Sequence, residues 1–170
     1  MMSLKQLINR ASLHYGSGLK REVRTERPIQ TGALPWRMGR KKQIEVLLVT
    51  GRRSRQWTIP KGWPMTGKSL SEAAAQEAYE EAGVSGQIDA EPIGAFDHTK
   101  QHLLTGNLDV RILVHPMSVE REHPEWPEIG QRRRKWFSIK EAAKMVQSAE
   151  LRSLIIQSAE RTGVVKTPAK

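Results

Sequence analysis

The chain has 170 residues, 38% of them hydrophobic, and its 28 Lys and Arg against 18 Asp and Glu give a formal net charge of +10. This length and apolar content fit one domain with a buried core. The absence of cysteine excludes disulfides, thiolate metal sites and cysteine nucleophiles, and no apolar run is long enough to cross a bilayer. The charge indicates a polyanionic partner, and nucleic acid and a heavily phosphorylated small molecule both satisfy it.

Residues 1–28 are predicted to form a helical arm and a linker. Leu4, Leu7 and Ile8 fall at helical spacing beside basic residues, and no acid precedes Glu22. Such a basic amphipathic segment is also typical of an organelle transit peptide, so targeting stays open, with the cytoplasm as the default location. We expect one domain over residues 29–160 and a flexible tail over residues 161–170.

The first part of the domain predicts three strands and one helix. Residues 29–36, 44–50 and 57–59 are short apolar runs bounded by turn residues, which favours buried strands. An alanine-rich segment then predicts a helix. Ser69 or Ser71 can cap its start, and Gly83 stands where a left-handed residue ends a helix.

The second part predicts more sheet and two further helices. Residues 87–98 and 107–117 are predicted to be strands that pair across residues 100–106, and residues 135–137 form another strand. Ser138, with Glu141 three residues on, predicts a capped helix over residues 139–146, and residues 151–159 predict the last helix. A mixed sheet between helices follows, which is an α/β (α+β) fold.

Three carboxylates stand out in the alanine-rich helix. Glu77, Glu80 and Glu81 are spaced i, i+3 and i+4, so they share one helix face. Like charges at this spacing repel, and a hard cation such as Mg²⁺ or Mn²⁺ offsets the repulsion because it prefers oxygen ligands. The alternative is a solvated acidic face, which is common on surface helices.

The surrounding residues resemble a known family. The Nudix box is matched, at its own spacing, by Gly62, Glu77, Glu80, Glu81, Gly83 and Val84. The segment from Trp57 to Gly62 resembles the strand and turn that enter this box in the diphosphoinositol and diadenosine polyphosphate hydrolase branch, and residues 31–33 and 134–137 add further matches. The resemblance implies an α/β/α sandwich with a mixed central sheet and metal-dependent hydrolysis of a phosphoanhydride bond.

Two positions depart from the box. Lys68 stands where the family has its first Glu, and Gln76 stands where it has an Arg. The family's Arg resembles a group that orients a metal-binding Glu, and Gln can donate that hydrogen bond only without a charge. Metal binding is therefore the safer inference, whereas the catalytic rate is in question. Restoring Lys68→Glu and Gln76→Arg should raise activity or metal affinity if the departures weaken the site.

The resemblance also implies roles for individual residues. Glu80 and Glu81 are the firmest metal ligands, with Glu77 beside them, and Glu81 is the first choice as general base, although Glu125 and Glu128 are rivals. Cations on neighbouring loops are expected to hold substrate phosphates; these are Arg52, Arg53, Arg55, Lys61, His98, Lys100 and Arg134. For the arginine loop, the alternative is an ordinary solvated basic loop. For His98 and Lys100, which lie between two strands, the alternative is a structural role. In the run Arg132, Arg133 and Arg134, strand alternation sends at most two side chains to one face, so solvent and phosphate are equal alternatives there.

Two functions fit these observations. The leading one is a pyrophosphohydrolase that acts on a nucleoside diphosphate-linked or highly phosphorylated substrate, such as a diadenosine polyphosphate or a diphosphoinositol polyphosphate. The alternative is a catalytically weakened Nudix-like module that binds RNA or a nucleotide. Trp63 and Trp126 give a weak hint of base stacking, whereas Trp57 and Trp136 are expected in the core. Nucleic acid is not the favoured partner, because a pure binder has little use for three crowded carboxylates.

Overall fold

The computed structural model describes residues 27–102 and 106–161. The predicted N-terminal arm and almost all of the C-terminal tail lie outside the described residues. Within them, no helix is both long and apolar enough to span a membrane.

Eight strands and three helices make up this part of the chain. The strands are β1 (Ile29–Met38), β2 (Ile44–Thr50), β3 (Trp57–Thr58), β4 (Lys61–Gly62), β5 (Val84–Ile88), β6 (Gly94–His102), β7 (Gly106–Glu122) and β8 (Arg134–Ser138). The helices are α1 (Leu70–Ala82), α2 (Ile139–Met145) and α3 (Ala149–Arg161).

The strands form one mixed sheet. Its main path runs β3-β2-β1-β7-β5, while β4 pairs with β1, β6 with β7 and β8 with β2. The pairing of β1 with β7 is parallel, from Ile29 opposite Arg111 to Trp36 opposite Ser118, and the other strand pairs are antiparallel. β4 pairs with the N-terminal half of β1, so the segment that precedes α1 is fixed to the centre of the sheet.

Helices cover both faces of the sheet. On one face, Ala74, Ala78 and Ala82 of α1 pack in a cluster with sheet residues such as Leu47 and Met117. On the other face, α2 and α3 close a second and larger cluster that includes Leu154 and Ile155. Small alanine side chains let α1 approach the sheet closely, which leaves its glutamate face toward the β4 side. The expected α/β/α sandwich is confirmed.

Local signals explain where α1 begins and ends. Ser69, and not Ser71, is the N-cap: its hydroxyl accepts from the Glu72 amide, and the Glu72 carboxylate accepts from the Ser69 amide. Gly83 follows with φ of 62°, a left-handed conformation that glycine adopts without steric cost. The Thr31 hydroxyl donates to the Leu70 carbonyl at 2.8 Å and so ties the helix start to β1.

One predicted strand is wrong. Residues 87–98 do not form a continuous strand, because β5 ends at Ile88 and β6 begins only at Gly94. Pro92 lies in the interruption and has no amide hydrogen for a sheet ladder. Both strands still pair with β7, so the 17-residue β7 carries the two of them along its length.

Candidate active site

The glutamates of α1 converge on the turn between β3 and β4. Glu81 is buried, at 5% exposure, and one of its oxygens accepts from the Lys61 backbone amide at 3.2 Å. Glu77 lies against Gly62, where an added Cβ would stand 1.8 Å from a Glu77 carboxylate oxygen. Glycine at position 62 therefore makes the space that the Glu77 carboxylate occupies.

A buried arginine joins Glu81 to a fourth carboxylate. Arg132, whose side chain is 8% exposed, pairs through one guanidinium nitrogen with Glu81 and through another with Glu128. A third nitrogen donates to the Thr50 carbonyl at 3.1 Å. Each of the three guanidinium nitrogens thus has a partner, which fixes the Arg132 side chain in place.

The loop that carries Glu128 is anchored to α1 by its main chain. The Glu128 amide donates to the Glu80 carbonyl at 3.0 Å, and the Arg52 guanidinium lies 3.6 Å from a Glu128 carboxylate oxygen. Glu125, on the same loop, is exposed. Of the two loop glutamates considered as a general base, Glu128 is therefore the one that reaches the site.

Burial and mutual repulsion disfavour the ionised form of the carboxylates. Burial raises the pKa of Glu77 to about 7, and the negative charges of Glu81, Glu80 and Glu128 add to the effect. Burial also raises the pKa of Glu81, against the opposing effect of the Lys61 and Arg132 cations. The resident cations therefore do not fully neutralise this group.

Two lysines and a histidine line the same region. Burial lowers the pKa of Lys61, although Glu81 opposes the change, and burial lowers the pKa of Lys100 against the pull of Glu81 and Glu77. The pKa of His98 is lowered by burial and by these two lysines. Lys61 of β4 and Lys100 of β6 thus lie beside the glutamates, whereas the lowered pKa of His98 favours its neutral ring.

The two positions that depart from the box are in contact. The Lys68 ammonium donates to the side-chain oxygen of Gln76 at 3.0 Å, and the side-chain nitrogen of Gln76 donates to Glu80 at 2.7 Å. Gln76 therefore makes the hydrogen bond to a metal-binding candidate that its position implies.

The remaining predicted cations are placed differently. Arg53 is exposed, and Arg55 donates to the Gln131 carbonyl at 3.3 Å. Arg134 donates to the carbonyls of Ala82, Gly83 and His123, so its guanidinium caps the end of α1. These hydrogen bonds give Arg134 a structural role, and the phosphate contact expected of it stays a prediction.

The tryptophans also sort themselves by contact. Trp126 stacks under Arg134 at 4.0 Å and lies against Gly83, so its ring is packed and not an open platform. Trp63 is 45% exposed, and the Lys100 ammonium lies 4.9 Å from its ring centre. Trp57 packs edge-on against Phe137, and Trp136 stacks under Arg37.

The donor set suits a hard divalent cation, although the carboxylates are not already arranged around one. In residues 27–102 and 106–161, no three acidic or histidine side chains form a preformed metal cluster. Instead, the Arg132 guanidinium supplies positive charge to Glu81 and Glu128. The raised pKa of Glu77, which burial and the neighbouring carboxylates cause, is the observation that fits a cation, because a bound cation favours the ionised form of the carboxyl.

Arg132 is the site residue that the sequence pattern did not single out. It belongs to a run of three arginines, and strand alternation left the run evenly divided between solvent and phosphate. The useful signal is the i, i+4 spacing from Glu128 to Arg132. Its other partner, Glu81, is 51 residues away, and such a contact leaves no local pattern.

Comparison with known proteins shows the family of this chain. A family model described as the NUDIX domain matches residues 27–155. Nudix hydrolase 4 of Arabidopsis thaliana is 34% identical over 113 residues, which cover 66% of this chain and 52% of the relative. Diphosphoinositol polyphosphate phosphohydrolase 2 of Rattus norvegicus is 33% identical over 111 residues, which cover 62% and 56%. The chain thus spans about half the length of these relatives.

A solved structure supports the fold. The crystal structure of the C. elegans Ap4A hydrolase superposes with a TM-score of 0.55 at 21% identity, and the match covers 80% of this chain and 98% of that one.

Proposed function

The chain belongs to the Nudix hydrolase family, and on that premise we propose that it is a metal-dependent pyrophosphohydrolase. It cleaves a phosphoanhydride bond in a nucleoside diphosphate-linked or highly phosphorylated substrate. The observation that supports this proposal is the crowding of Glu77, Glu80, Glu81 and Glu128 beside the partly exposed Lys61 and Lys100, a combination that suits both a cation and phosphate groups.

Each part of the site has a task in the proposed reaction. Glu77, Glu80 and Glu81 would hold Mg²⁺ or Mn²⁺, which would supply positive charge for the phosphate oxygens and help to ionise the attacking water. Lys61 and Lys100 hold the phosphates, with Arg52 at the rim. Phosphoryl transfer needs little more than such positioning and charge neutralisation.

Glu81 remains our first choice as general base, and Glu128 is its rival. Glu81 is the more buried of the two and is fixed by the Lys61 amide and by Arg132. Glu128 pairs with the same arginine through a different nitrogen, on a loop tied to α1. A base must be held within hydrogen-bond reach of the attacking water, and both side chains are held firmly enough for that task.

The substrate is proposed from charge and from the relatives. A net charge of +10, together with Lys61 of β4 and Lys100 of β6, favours a substrate with several phosphates. Relatives and fold neighbours include a diphosphoinositol polyphosphate phosphohydrolase and an Ap4A hydrolase. We therefore propose a diphosphoinositol polyphosphate or a diadenosine polyphosphate, and the cytoplasm as the compartment.

Phosphate release tests this function. Wild type, Glu81→Gln, Glu128→Gln and the matched control Glu91→Gln are assayed on a diadenosine polyphosphate, a diphosphoinositol polyphosphate and a nucleoside diphosphate sugar, with Mg²⁺ or Mn²⁺. Loss of the general base is expected to lower kcat by ~10²–10⁴-fold. Glu91 is exposed on the loop before β6, so its variant should match wild type.

The outcomes separate the alternatives. A large loss with Glu81→Gln alone, in a variant that still binds Mn²⁺ as wild type does, assigns the base to Glu81, and a large loss with Glu128→Gln alone transfers that role. No turnover by wild type, with tight binding of a nucleotide or RNA, would support the weakened binding module. That alternative draws on the Arg132 pairing, because an arginine on Glu81 competes with a metal ion for the same carboxylate.

A further inference from the structure

The two departures from the Nudix box form one continuous hydrogen-bonded chain. It runs from the Lys68 ammonium to the Gln76 side-chain oxygen, over 3.0 Å, and from the Gln76 nitrogen to the Glu80 carboxylate, over 2.7 Å. Gln76 and Glu80 are one helical turn apart on α1, whereas Lys68 lies before the helix begins. A residue outside the helix is thus connected to a candidate metal ligand inside it.

The chemistry of the three groups fixes the direction of this chain. An ammonium can only donate hydrogen bonds, and an ionised carboxylate can only accept them. The Gln76 amide therefore has to turn its oxygen toward Lys68 and its nitrogen toward Glu80. The Glu80 carboxylate already favours this orientation, and the ammonium reinforces it, because in the reversed one the amide oxygen would face Glu80 and the amide nitrogen would face Lys68.

Lys68 also acts on the strength of the second hydrogen bond. A positive charge on the amide oxygen polarises the amide, so its N–H becomes a stronger donor to the carboxylate. In the family pattern the cation stands at position 76 itself, with an anion at position 68. Here the cation stands at position 68 instead, and it acts on Glu80 only through the polarised Gln76 amide.

Helix stabilisation does not account for a lysine at this position. Lys68 immediately precedes the N-cap Ser69, and a cation at a helix N-terminus opposes the helix dipole. Lys68 does face one other acid, because its charge helps to lower the pKa of Glu72, behind the hydrogen bonds from Ser69. Glu72 is therefore the competing explanation that a test has to exclude.

We propose that Lys68 and Gln76 act as one positioning unit, which we call the relay. In it, Lys68 orients the Gln76 amide, and Gln76 orients Glu80 for cation binding. The two substitutions thus compensate for each other and are not two separate losses. This inference rests on the proposed function, since Glu80 is a ligand only in that context.

A double-mutant cycle tests the coupling. Mn²⁺ affinity is measured by calorimetry, without substrate, for wild type, Lys68→Met, Gln76→Leu and the double variant. Gln76→Leu is expected to weaken Mn²⁺ binding by ~10-fold or more, as the loss of a group that orients a ligand does. Lys68→Met should weaken binding several-fold in the wild-type background and have no further effect in the Gln76→Leu background.

Three controls make the result specific. Lys68→Arg keeps a donor and should bind Mn²⁺ within about twofold of wild type. Glu72→Gln should leave the Lys68→Met effect unchanged. The side-chain amide signal of Gln76 in a nitrogen-edited NMR spectrum should shift in Lys68→Met and return toward its wild-type position in Lys68→Arg, and thermal melting confirms that each variant is folded.

The outcomes are distinct from those of the proposed function. If Lys68→Met changes Mn²⁺ affinity equally in the wild-type and Gln76→Leu backgrounds, or in neither, the relay is wrong. The hydrolase proposal still stands in that case, provided that wild type binds Mn²⁺. A wild type with neither Mn²⁺ binding nor turnover would overturn the function, and with it the relay's purpose. The relay is also contradicted if the Glu72→Gln variant abolishes the Lys68→Met effect.

The family's own pair supplies a second test. Lys68→Glu alone removes the donor to Gln76, and Gln76→Arg alone sets two cations against each other, so each is expected to bind Mn²⁺ more weakly than wild type. The combined Lys68→Glu and Gln76→Arg variant should recover affinity. If the two single reversions each strengthen binding, the departures are independent losses and the relay is wrong.

Discussion

Glu77 carries the least compensated charge of the site. Its carboxylate fills the space beside Gly62, burial raises its pKa to about 7, and among the described residues it forms no salt bridge. Glu81, by contrast, has both a backbone donor and Arg132. Two glutamates four residues apart on one helix thus play different parts because only one of them is paired.

Replacing Glu77 with Gln should stabilise the metal-free protein. The substitution keeps the shape and removes the repelling charge, part of which solvent already screens. We expect a melting temperature ~2–4 °C higher in a chelator, the change that about 1 kcal/mol gives in a domain of this size. The same variant should lose most of the stabilisation that Mn²⁺ gives wild type.

Differential scanning fluorimetry with and without Mn²⁺ measures both effects. Glu91→Gln removes a carboxylate at an exposed position and serves as the control, with no change expected in either condition. A lower melting temperature for Glu77→Gln in chelator would mean that the Glu77 charge is compensated by a contact that the structure does not show.

At the scale of elements, the capping boxes make the helix boundaries predictable and also sensitive to pH. Ser138 and Glu141 at the start of α2 exchange hydrogen bonds, with the Ser138 hydroxyl donating to Glu141 at 2.7 Å. These contacts lower the pKa of Glu141 below its usual value. Residues 138–141 show this pattern in the sequence because capping depends only on near neighbours.

Ser138→Ala should cost about 1 kcal/mol of stability at pH 7, as the loss of an N-cap does. The pKa of Glu141 is lowered on folding, so its contribution is present above the unfolded value near 4.5 and is lost as the pH falls through the lower folded value. Glu141→Gln should therefore destabilise at pH 7 and match wild type at about pH 2–3.

Urea unfolding at a series of pH values checks this sign. Glu91→Gln again provides the control, because its exposed carboxylate has no capping partner among the described contacts. A Glu141→Gln deficit that grows as the pH falls would contradict the capping assignment.

Elements that depend on distant partners were harder to predict. β7 continues through Pro116 to Glu122, although a proline argues against an interior strand. Pro116 is accommodated because its carbonyl still accepts from Asp89, and β1 and β5 flank the strand on either side. The break between β5 and β6 follows from the same arrangement, since both strands have to fit along β7.

The site residues also differ in whether local sequence or distant partners determine their positions. Glu77, Glu80 and Glu81 were readable because a helix converts spacing into a shared face. Arg132 was not, since its position depends on a loop tied to α1 by the Glu128 amide. Arg134 looks like a phosphate ligand by type, yet its contacts with three carbonyls give it a structural role that type alone does not show.

At the scale of the whole molecule, the net charge of +10 should act mainly on substrate capture. Exposed charges are screened over about 10 Å at 0.1 M salt, whereas the buried contacts of the site are screened much less. We expect KM for a polyphosphate substrate to rise with ionic strength between 0.05 and about 0.3 M, while kcat changes little.

Two lysines separate local from global charge. Lys100→Gln removes a cation beside Glu77 and Glu81, and Lys140→Gln removes one from α2, on the other face of the sheet. Each lowers the net charge by one. Steady-state kinetics should show a several-fold rise in KM for Lys100→Gln and a change within about twofold for Lys140→Gln. Equal effects would mean that net charge alone governs capture.

The arginine between Glu81 and Glu128 would set the strength of the proposed metal binding. Because Glu81 already has a positive partner, a divalent ion at this carboxylate would compete with the tethered Arg132 guanidinium. The net gain would be the difference between two attractions, so the affinity for the ion would be lower than the number of carboxylates alone implies.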